Sequence, residues 1–120
     1  MGMAMSGMSG MGMRSIPIRV VGFGNIVMDG LFRVPHLPGH DEKTFAESVA
    51  WSPGGPAVHF AAASARLGAE AAVLGWVGDD AFGRQTEMWL KERGIRPRLA
   101  TLPGAQSPTA IVIVDRTGEK

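Results

Sequence analysis

Apolar residues cluster in five segments of this chain, and polar residues and glycines separate them. Short β-branched and apolar runs predict buried strands at Ile18–Phe23 and Ala71–Val77, and a further strand at Thr109–Asp115. Longer segments with apolar residues on one side predict helices at Ala57–Leu67 and from about Ala81 to Arg93. Because strands that alternate with helices form parallel sheets with right-handed crossovers, the pattern predicts an α/β fold with a mainly parallel sheet.

Three further segments are apolar but contain polar residues or proline. They are Leu31–Leu37, Thr44–Trp51 and Arg96–Leu102. These segments predict exposed strands, since a proline such as Pro35 is confined to the edge of a sheet. We therefore expect a small second sheet, or lid, with strands at about 31–51 and 96–114, projecting from the parallel core.

Composition narrows the class of protein. The 120 residues suffice for one domain or part of one, and the net charge is +1 with scattered Lys and Arg, so no basic stripe indicates a nucleic-acid partner. The chain has no cysteine, which excludes disulfides and zinc–thiolate sites and fits a cytoplasmic protein. No apolar window approaches the ~20 residues of a membrane span, so we expect no membrane partner.

The chain opens with a low-complexity run of Met, Gly and Ser, and we expect residues 1–15 to be a disordered leader. Glycines interrupt any apolar stretch of the ~7–15 residues that a secretory signal needs. A Met-rich arm for a metal or partner is the alternative, and nothing else in the chain supports it. Residues 16–120 are expected to form the folded unit.

Gly22 and Gly24 follow the first predicted strand, as in a dinucleotide-binding loop. That fingerprint requires a third glycine where this chain has Val27, and a helix should begin at once. Instead the chain continues into Asp29 and a strand-like segment. A P-loop is also excluded, because the sequence contains no Gly-Lys-Ser/Thr run.

Four residues near the predicted ligand edge of the sheet are candidates for substrate binding. Asp29 follows the first strand, where open α/β sheets bind ligands, and its carboxylate can accept hydrogen bonds from two hydroxyls of a polyol. Gly54 and Gly55 precede a helix, so the backbone can approach an oxygen-rich ligand closely. His59 lies in the first turn of that helix. Each residue also has a structural interpretation: a turn cap, an ordinary loop and a packed neutral histidine.

Other polar and aromatic residues are less specific. Phe45 and Trp51 are possible lid contacts, and Trp51 either stacks on a ligand or covers the small sheet. His36 and His40 have no metal-ligand spacing with His59, so we expect no metal site. The pair Asp79-Asp80 is best interpreted as a cap of the second helix rather than as a catalytic pair.

Taken together, these segments resemble the N-terminal part of the ribokinase-like (pfkB) carbohydrate kinases. The resemblance runs from about Val20 to Lys120. It depends on the order and spacing of blocks that read VVGFGNIVMD, PGGPAVHFAAASARLGA, AAVLGWVGDDAFG, RGI and PTAIVIVDRTGE. It implies a three-layer α/β core with a small β-sheet lid that often forms a dimer contact.

The resemblance also implies a function, ATP-dependent phosphoryl transfer to a sugar hydroxyl. In the family, the residues at the positions of Asp29, Gly54 and Gly55 hold the sugar. An asparagine is usual where this chain has His59, and Lys or Asn is common where it has Pro56. We therefore expect a sugar or nucleoside as the small-molecule partner, ATP and Mg²⁺ as cofactors, and a homodimer through the lid strands.

Family members run to about twice this length or more. The resemblance implies that the glycine-rich anion hole, the catalytic aspartate and the nucleotide pocket belong to the missing part, so we expect no catalytic residue in this chain. On this view the chain is incomplete and carries the sugar-binding side of its parent enzyme. The alternatives are a nucleoside kinase of the same fold, or a truncated, non-catalytic fragment that dimerises.

Overall fold

A computed structural model of the chain describes residues 16–118 and Lys120. The predicted leader at residues 1–15 lies outside the described residues. The elements, in chain order, are β1 Arg19–Phe23, β2 Val27–Arg33, β3 Ser48–Gly54, α1 Pro56–Arg66, β4 Glu70–Gly78, α2 Ala81–Glu92, β5 Arg96–Leu102 and β6 Thr109–Val114. This order confirms the α/β fold with a parallel core sheet and a small second sheet that the sequence predicts.

The core sheet has the strand order β1-β4-β5, and both neighbouring pairs are parallel. Helices α1 and α2 pack on the same face of it. The crossovers from β1 to β4 and from β4 to β5 run in the same direction across the sheet, and right-handed crossovers in one direction place their helices on one face. The hydrophobic core lies between the helices and this face. Its buried members are Ile26, Ala57, Val58, Ala61, Ala71, Val73, Val77, Leu90 and Ile95.

The opposite face of the core sheet carries no helix among the described residues. Val21, Phe23, Leu74 and Trp76 lie on it in neighbouring strands, and all four are exposed. Parallel sheets are usually covered on both faces, since their strands are apolar on both. We call the surface formed by these four residues the open face. In a three-layer fold, a second layer of helices covers this side of the sheet.

The small sheet has the order β3-β2-β6, in which β2 is antiparallel to β3 and parallel to β6. The prediction that Arg96–Leu102 is a lid strand was wrong. This segment pairs in parallel with β4 and belongs to the core sheet. The polar residues that suggested an exposed strand alternate with half-buried Pro97 and Leu99, as expected for an edge strand with one face against the core.

Candidate functional site

The glycine pair forms the junction between the small sheet and α1. Gly54 is the last residue of β3, and Gly55 is the N-cap of α1 with a φ of 94°. A Cβ on Gly55 would overlap the carbonyl oxygen of Asn25, so both the backbone angle and the space require glycine here. Pro56 occupies the first helical position, where its fixed φ suits a helix start.

His59 is placed by the first turn of this helix. Its backbone N–H donates to the Gly55 carbonyl at 3.0 Å, which is a regular helical hydrogen bond. The imidazole is exposed, so the side chain is not a packed core histidine. The first turn of α1 therefore carries both this ring and backbone N–H groups that have no partner within the helix.

Asp29 lies inside β2, where it pairs with Ser52 of β3 and Ala110 of β6. The interpretation of Asp29 as a turn cap is therefore wrong, because the β2 strand continues to Arg33. Its side chain is half-buried on the face of the small sheet that it shares with Ser52 and Ala110. A strand residue in the middle of a sheet is held more rigidly than one in a loop.

The carboxylate of Asp29 and the imidazole of His59 meet over the bare Cα of Gly54. A Cβ at Gly54 would overlap Asp29 Oδ2 and would lie 3.4 Å from His59 Nε2. Gly54 is buried, whereas His59 is open to solvent. The tertiary structure thus brings together three of the residues that the sequence singled out, from three different elements.

This arrangement suits a hydroxyl-rich ligand. An ionised carboxylate accepts hydrogen bonds, and an imidazole donates or accepts one according to its tautomer. A ligand hydroxyl can donate to Asp29 while it accepts from His59. A negative ligand is disfavoured next to Asp29, because two like charges at contact distance repel.

Trp51 does not join this cluster. It pairs with Gly30, its ring lies over the Cα of that glycine, and successive residues of a strand point to opposite faces. Its ring packs between Phe32 at 5.7 Å and Phe82 at 4.9 Å, measured between ring centroids. Of the two interpretations of Trp51, the structure favours a cover of the small sheet. Phe45 lies in the loop between β2 and β3 with its side chain 84% exposed.

Ser52 and Ala110 are neighbours of Asp29 that sequence reasoning missed. The available signal was the alternation along β3 and β6, which places every second residue on one face. That signal becomes informative once the strand register is known, because the register decides which alternating set faces Asp29.

The predicted cap at Asp79-Asp80 is confirmed, and Asp80 is the capping residue. Its Oδ1 accepts a hydrogen bond from the Gly83 N–H at 2.8 Å. Its pKa is lowered, first by the backbone N–H of Ser107, then by the Ser107 hydroxyl and the Gly83 N–H. All three donors favour the charged carboxylate, so Asp80 is ionised at neutral pH.

Two negative findings concern the part of the chain that the structure describes. Neither of its helices is long and apolar enough to cross a membrane. Residues 16–118 contain no group of three or more His, Asp or Glu side chains placed to hold a metal ion.

Comparison with known proteins identifies the family. Residues 18–120 match the model of the pfkB family of carbohydrate kinases. The chain is 36% identical over 104 residues to fructokinase-1 of Oryza sativa and 32% identical over 103 residues to the ATP-dependent ribose-1-phosphate kinase of Halopiger xanaduensis. These matches cover 84% and 85% of this chain, but 30% and 35% of the relatives.

A solved structure shows the same relationship at the level of the fold. The ribokinase of Giardia lamblia superposes with a TM-score of 0.76 at 27% identity, over 85% of this chain and 34% of that one. The chain thus spans about a third of the length of the proteins it matches. Because the family model covers nearly all of the described residues and the fold agrees with it, the chain belongs to the pfkB family of carbohydrate kinases.

Proposed function

We propose that this chain forms the sugar-binding wall of an ATP-dependent carbohydrate kinase. The observation that carries the proposal is the convergence of the Asp29 carboxylate and the His59 imidazole over Gly54. The family and the names of its relatives, which are kinases of fructose, ribose and ribose 1-phosphate, support a sugar as the substrate class.

In this proposal the residues of the chain bind and orient the sugar. Asp29 accepts hydrogen bonds from sugar hydroxyls, while His59 and the N-terminus of α1 hold the neighbouring hydroxyl. Gly54 and Gly55 let the ligand approach the backbone closely. Phosphoryl transfer is accelerated mainly by positioning and by electrostatic stabilisation, and this wall contributes positioning.

The glycine-pair loop does not fit ATP or its Mg²⁺. The carboxylate of Asp29 lies against Gly54 and would repel a triphosphate, and the described residues offer no cluster of metal ligands. We therefore assign ATP and Mg²⁺ to the part of the relatives' length that this chain does not span. No catalytic residue is assigned to the chain.

The sugar proposal is favoured over a nucleoside kinase by the place of Trp51. Trp51 and Phe45 are the aromatic side chains that could stack on the base of a nucleoside, and the Trp51 ring lies on the face of the small sheet away from Asp29. Phe45 is the remaining aromatic candidate, and its side chain is exposed to solvent in the loop between β2 and β3.

We further propose a homodimer through the small sheet in the cytoplasm. Val49 and Ile111 flank the ring of Trp51 on one face of this sheet and are 45% and 50% exposed. An apolar patch of this kind on a small sheet suits a partner surface. Replacement of Ile111 by Lys is expected to lower the dimer fraction in analytical ultracentrifugation; an unchanged fraction would contradict the proposed interface.

The binding proposal is tested by NMR titration of the chain with fructose, ribose and a nucleoside. We expect a sugar to shift the amide signals of Gly54, Gly55 and His59. Asp29→Asn and His59→Ala should abolish these shifts, whereas the matched control Gln85→Ala, on the exposed side of α2, should retain them.

The kinase proposal needs the longer protein. A version extended by the sequence that follows Lys120 should release ADP in a sugar-dependent manner, and Asp29→Asn should raise the KM for the sugar. Absence of binding and of ADP release across a broad panel of sugars would overturn the proposed function.

A further inference from the structure

The connector from β5 to β6 is the return path of the chain from the core sheet to the small sheet. It spans residues 103–108 and runs past the turn that joins β4 to α2. The Asp79 N–H donates to the carbonyl of Ala105 at 3.0 Å, so the turn and the connector already share a backbone hydrogen bond. The connector therefore joins the two sheets at a point that α2 also touches.

The Asp80 carboxylate accepts two hydrogen bonds from Ser107 of this connector. Oδ2 accepts from the backbone N–H of Ser107 at 2.7 Å, and Oδ1 accepts from the Ser107 hydroxyl at 2.7 Å. The Ser107 hydroxyl oxygen in turn accepts from the Gly78 N–H at 2.9 Å. Capping a helix requires one hydrogen bond from the first turn, and Asp80 accepts that bond from the Gly83 N–H. The two bonds from Ser107 are therefore additional to its role as a helix cap.

The connector packs closely against the end of β4 at the place where Asp80 contacts Ser107. A Cβ at Gly78 would overlap the backbone at Gln106 and Ser107, so the connector lies directly against the end of β4. Charged hydrogen bonds of this length are stronger than neutral ones, and here they link segments 27 residues apart in the chain. We call these hydrogen bonds between Asp80 and Ser107 the clamp, because they hold the connector against the start of α2.

The residues that follow Ser107 are hydrogen-bonded to β2, the strand that carries Asp29. Ser107 is followed by Pro108, whose carbonyl accepts the Met28 N–H at 2.9 Å. The next two residues, Thr109 and Ala110, pair with Met28 and Asp29. A few bonds therefore separate the Asp80 carboxylate from the backbone of Asp29.

A second contact runs from the same turn of α2 to the small sheet. Phe82 lies two residues after Asp80, and its ring packs against Trp51, with 4.9 Å between the ring centroids. Trp51 covers Gly30, the residue next to Asp29. The start of α2 thus contacts β3 through Trp51 and, through Ser107, the connector that leads into β6.

We propose that Asp80 is a positioning residue which, through Ser107, sets the small sheet relative to α1 and so places the Asp29 carboxylate for the substrate. The coupling to the substrate rests on the proposed function. The clamp itself does not, since it is a relation between Asp80, Ser107 and the amide of Met28.

Hydrogen exchange of the chain tests the clamp without any ligand. In Asp80→Asn and in Ser107→Ala, the amides of Met28 and Asp79 should exchange about tenfold faster, the factor expected from the loss of a charged hydrogen bond. The amides of residues 70–77 in β4 should keep their wild-type rates, whereas the Gly78 amide, which donates to the Ser107 hydroxyl, should exchange faster in Ser107→Ala. Ser107→Thr retains the hydroxyl and should behave as wild type, and so should Asp79→Asn, which removes the neighbouring carboxylate.

Equal acceleration at Met28 and at residues 70–77 of β4 would mean a general loss of stability and would overturn the proposal. No acceleration at Met28 in either variant would overturn it as well. Ser107→Ala keeps the cap on α2, so it decides the matter even if Asp80→Asn fails to fold. In the sugar titration, both variants should weaken binding about tenfold. If the wild-type chain binds no sugar, the proposed function fails while the exchange result still decides the clamp.

Discussion

At the scale of single residues, Gly54 shows how an absent side chain makes a site. The Asp29 carboxylate occupies the space that a Cβ at position 54 would need. Gly54→Ala should therefore lower the free energy of unfolding by about 1–3 kcal/mol, the usual cost of overpacking, and should displace Asp29. Urea unfolding measures the first effect, and loss of the sugar-induced shift at His59 measures the second.

Two variants make this test specific. Gly39→Ala is the control, because its Cβ would lie at an ordinary 3.4 Å from Glu42 Oε1. Asp29→Ala combined with Gly54→Ala should recover most of the lost stability, since the overlap is then removed. A destabilisation of the same size in the control, or no recovery in the double variant, would show that the carboxylate is not what excludes a side chain.

At the scale of elements, the start of α2 predicts a dependence of stability on pH. The hydrogen bonds from Ser107 and Gly83 hold the pKa of Asp80 below its ordinary value of 3.8. A lowered pKa in the folded state stabilises the fold above the unfolded value, and this contribution disappears as the pH falls through the folded-state pKa. Acidification below about pH 4 should therefore weaken the joint between α2 and the β5–β6 connector.

Thermal unfolding between neutral and acidic pH measures this effect. Asp80→Asn should lose less stability on acidification than wild type, because its side chain does not titrate. Some acid loss should remain, since the pKa values of Glu42 and Glu47 are also lowered, by the Gly39 N–H and His36 and by Arg116 respectively. If the unfolding temperatures of wild type and Asp80→Asn fell by the same amount on acidification, the Asp80 carboxylate would have no role in this pH dependence.

At the scale of the whole molecule, the open face of the core sheet predicts self-association. Phe23 and Trp76 are 78% and 41% exposed on this face, and water-exposed apolar patches on a sheet favour contact with another surface. The chain should show a weight-average mass that rises with concentration in sedimentation experiments. Phe23→Lys with Trp76→Lys should remove the association that goes beyond the dimer proposed through the small sheet.

Leu67→Lys is the matched control, because Leu67 is 89% exposed at the C-cap of α1 and lies away from the open face. It should leave the association unchanged. A chain that stays monomeric at every concentration would contradict the prediction. Association that is lost in Ile111→Lys but unchanged in the open-face variant would show that the small sheet alone carries it and would also contradict the prediction.

Much of the fold followed from patterns within short stretches of sequence. The apolar runs predicted β1, β4 and β6 to within a residue or two, and the glycines after α1 and α2 ended both helices. The segment Arg96–Leu102 was assigned to the wrong sheet, because alternating polarity marks an edge strand without saying which sheet the strand joins.

The glycine pair, Asp29 and His59 were identifiable by themselves, since residue type, position after a strand and place in a helix turn are local properties of the sequence. Tertiary structure alone decided that the Asp29 carboxylate and the His59 ring meet at Gly54, that Trp51 faces the other way, and that Asp80 reaches Ser107 as well as Gly83. These relations depend on strand register and on contacts between residues distant in the chain. A linear sequence specifies such contacts only through the packing of the whole fold.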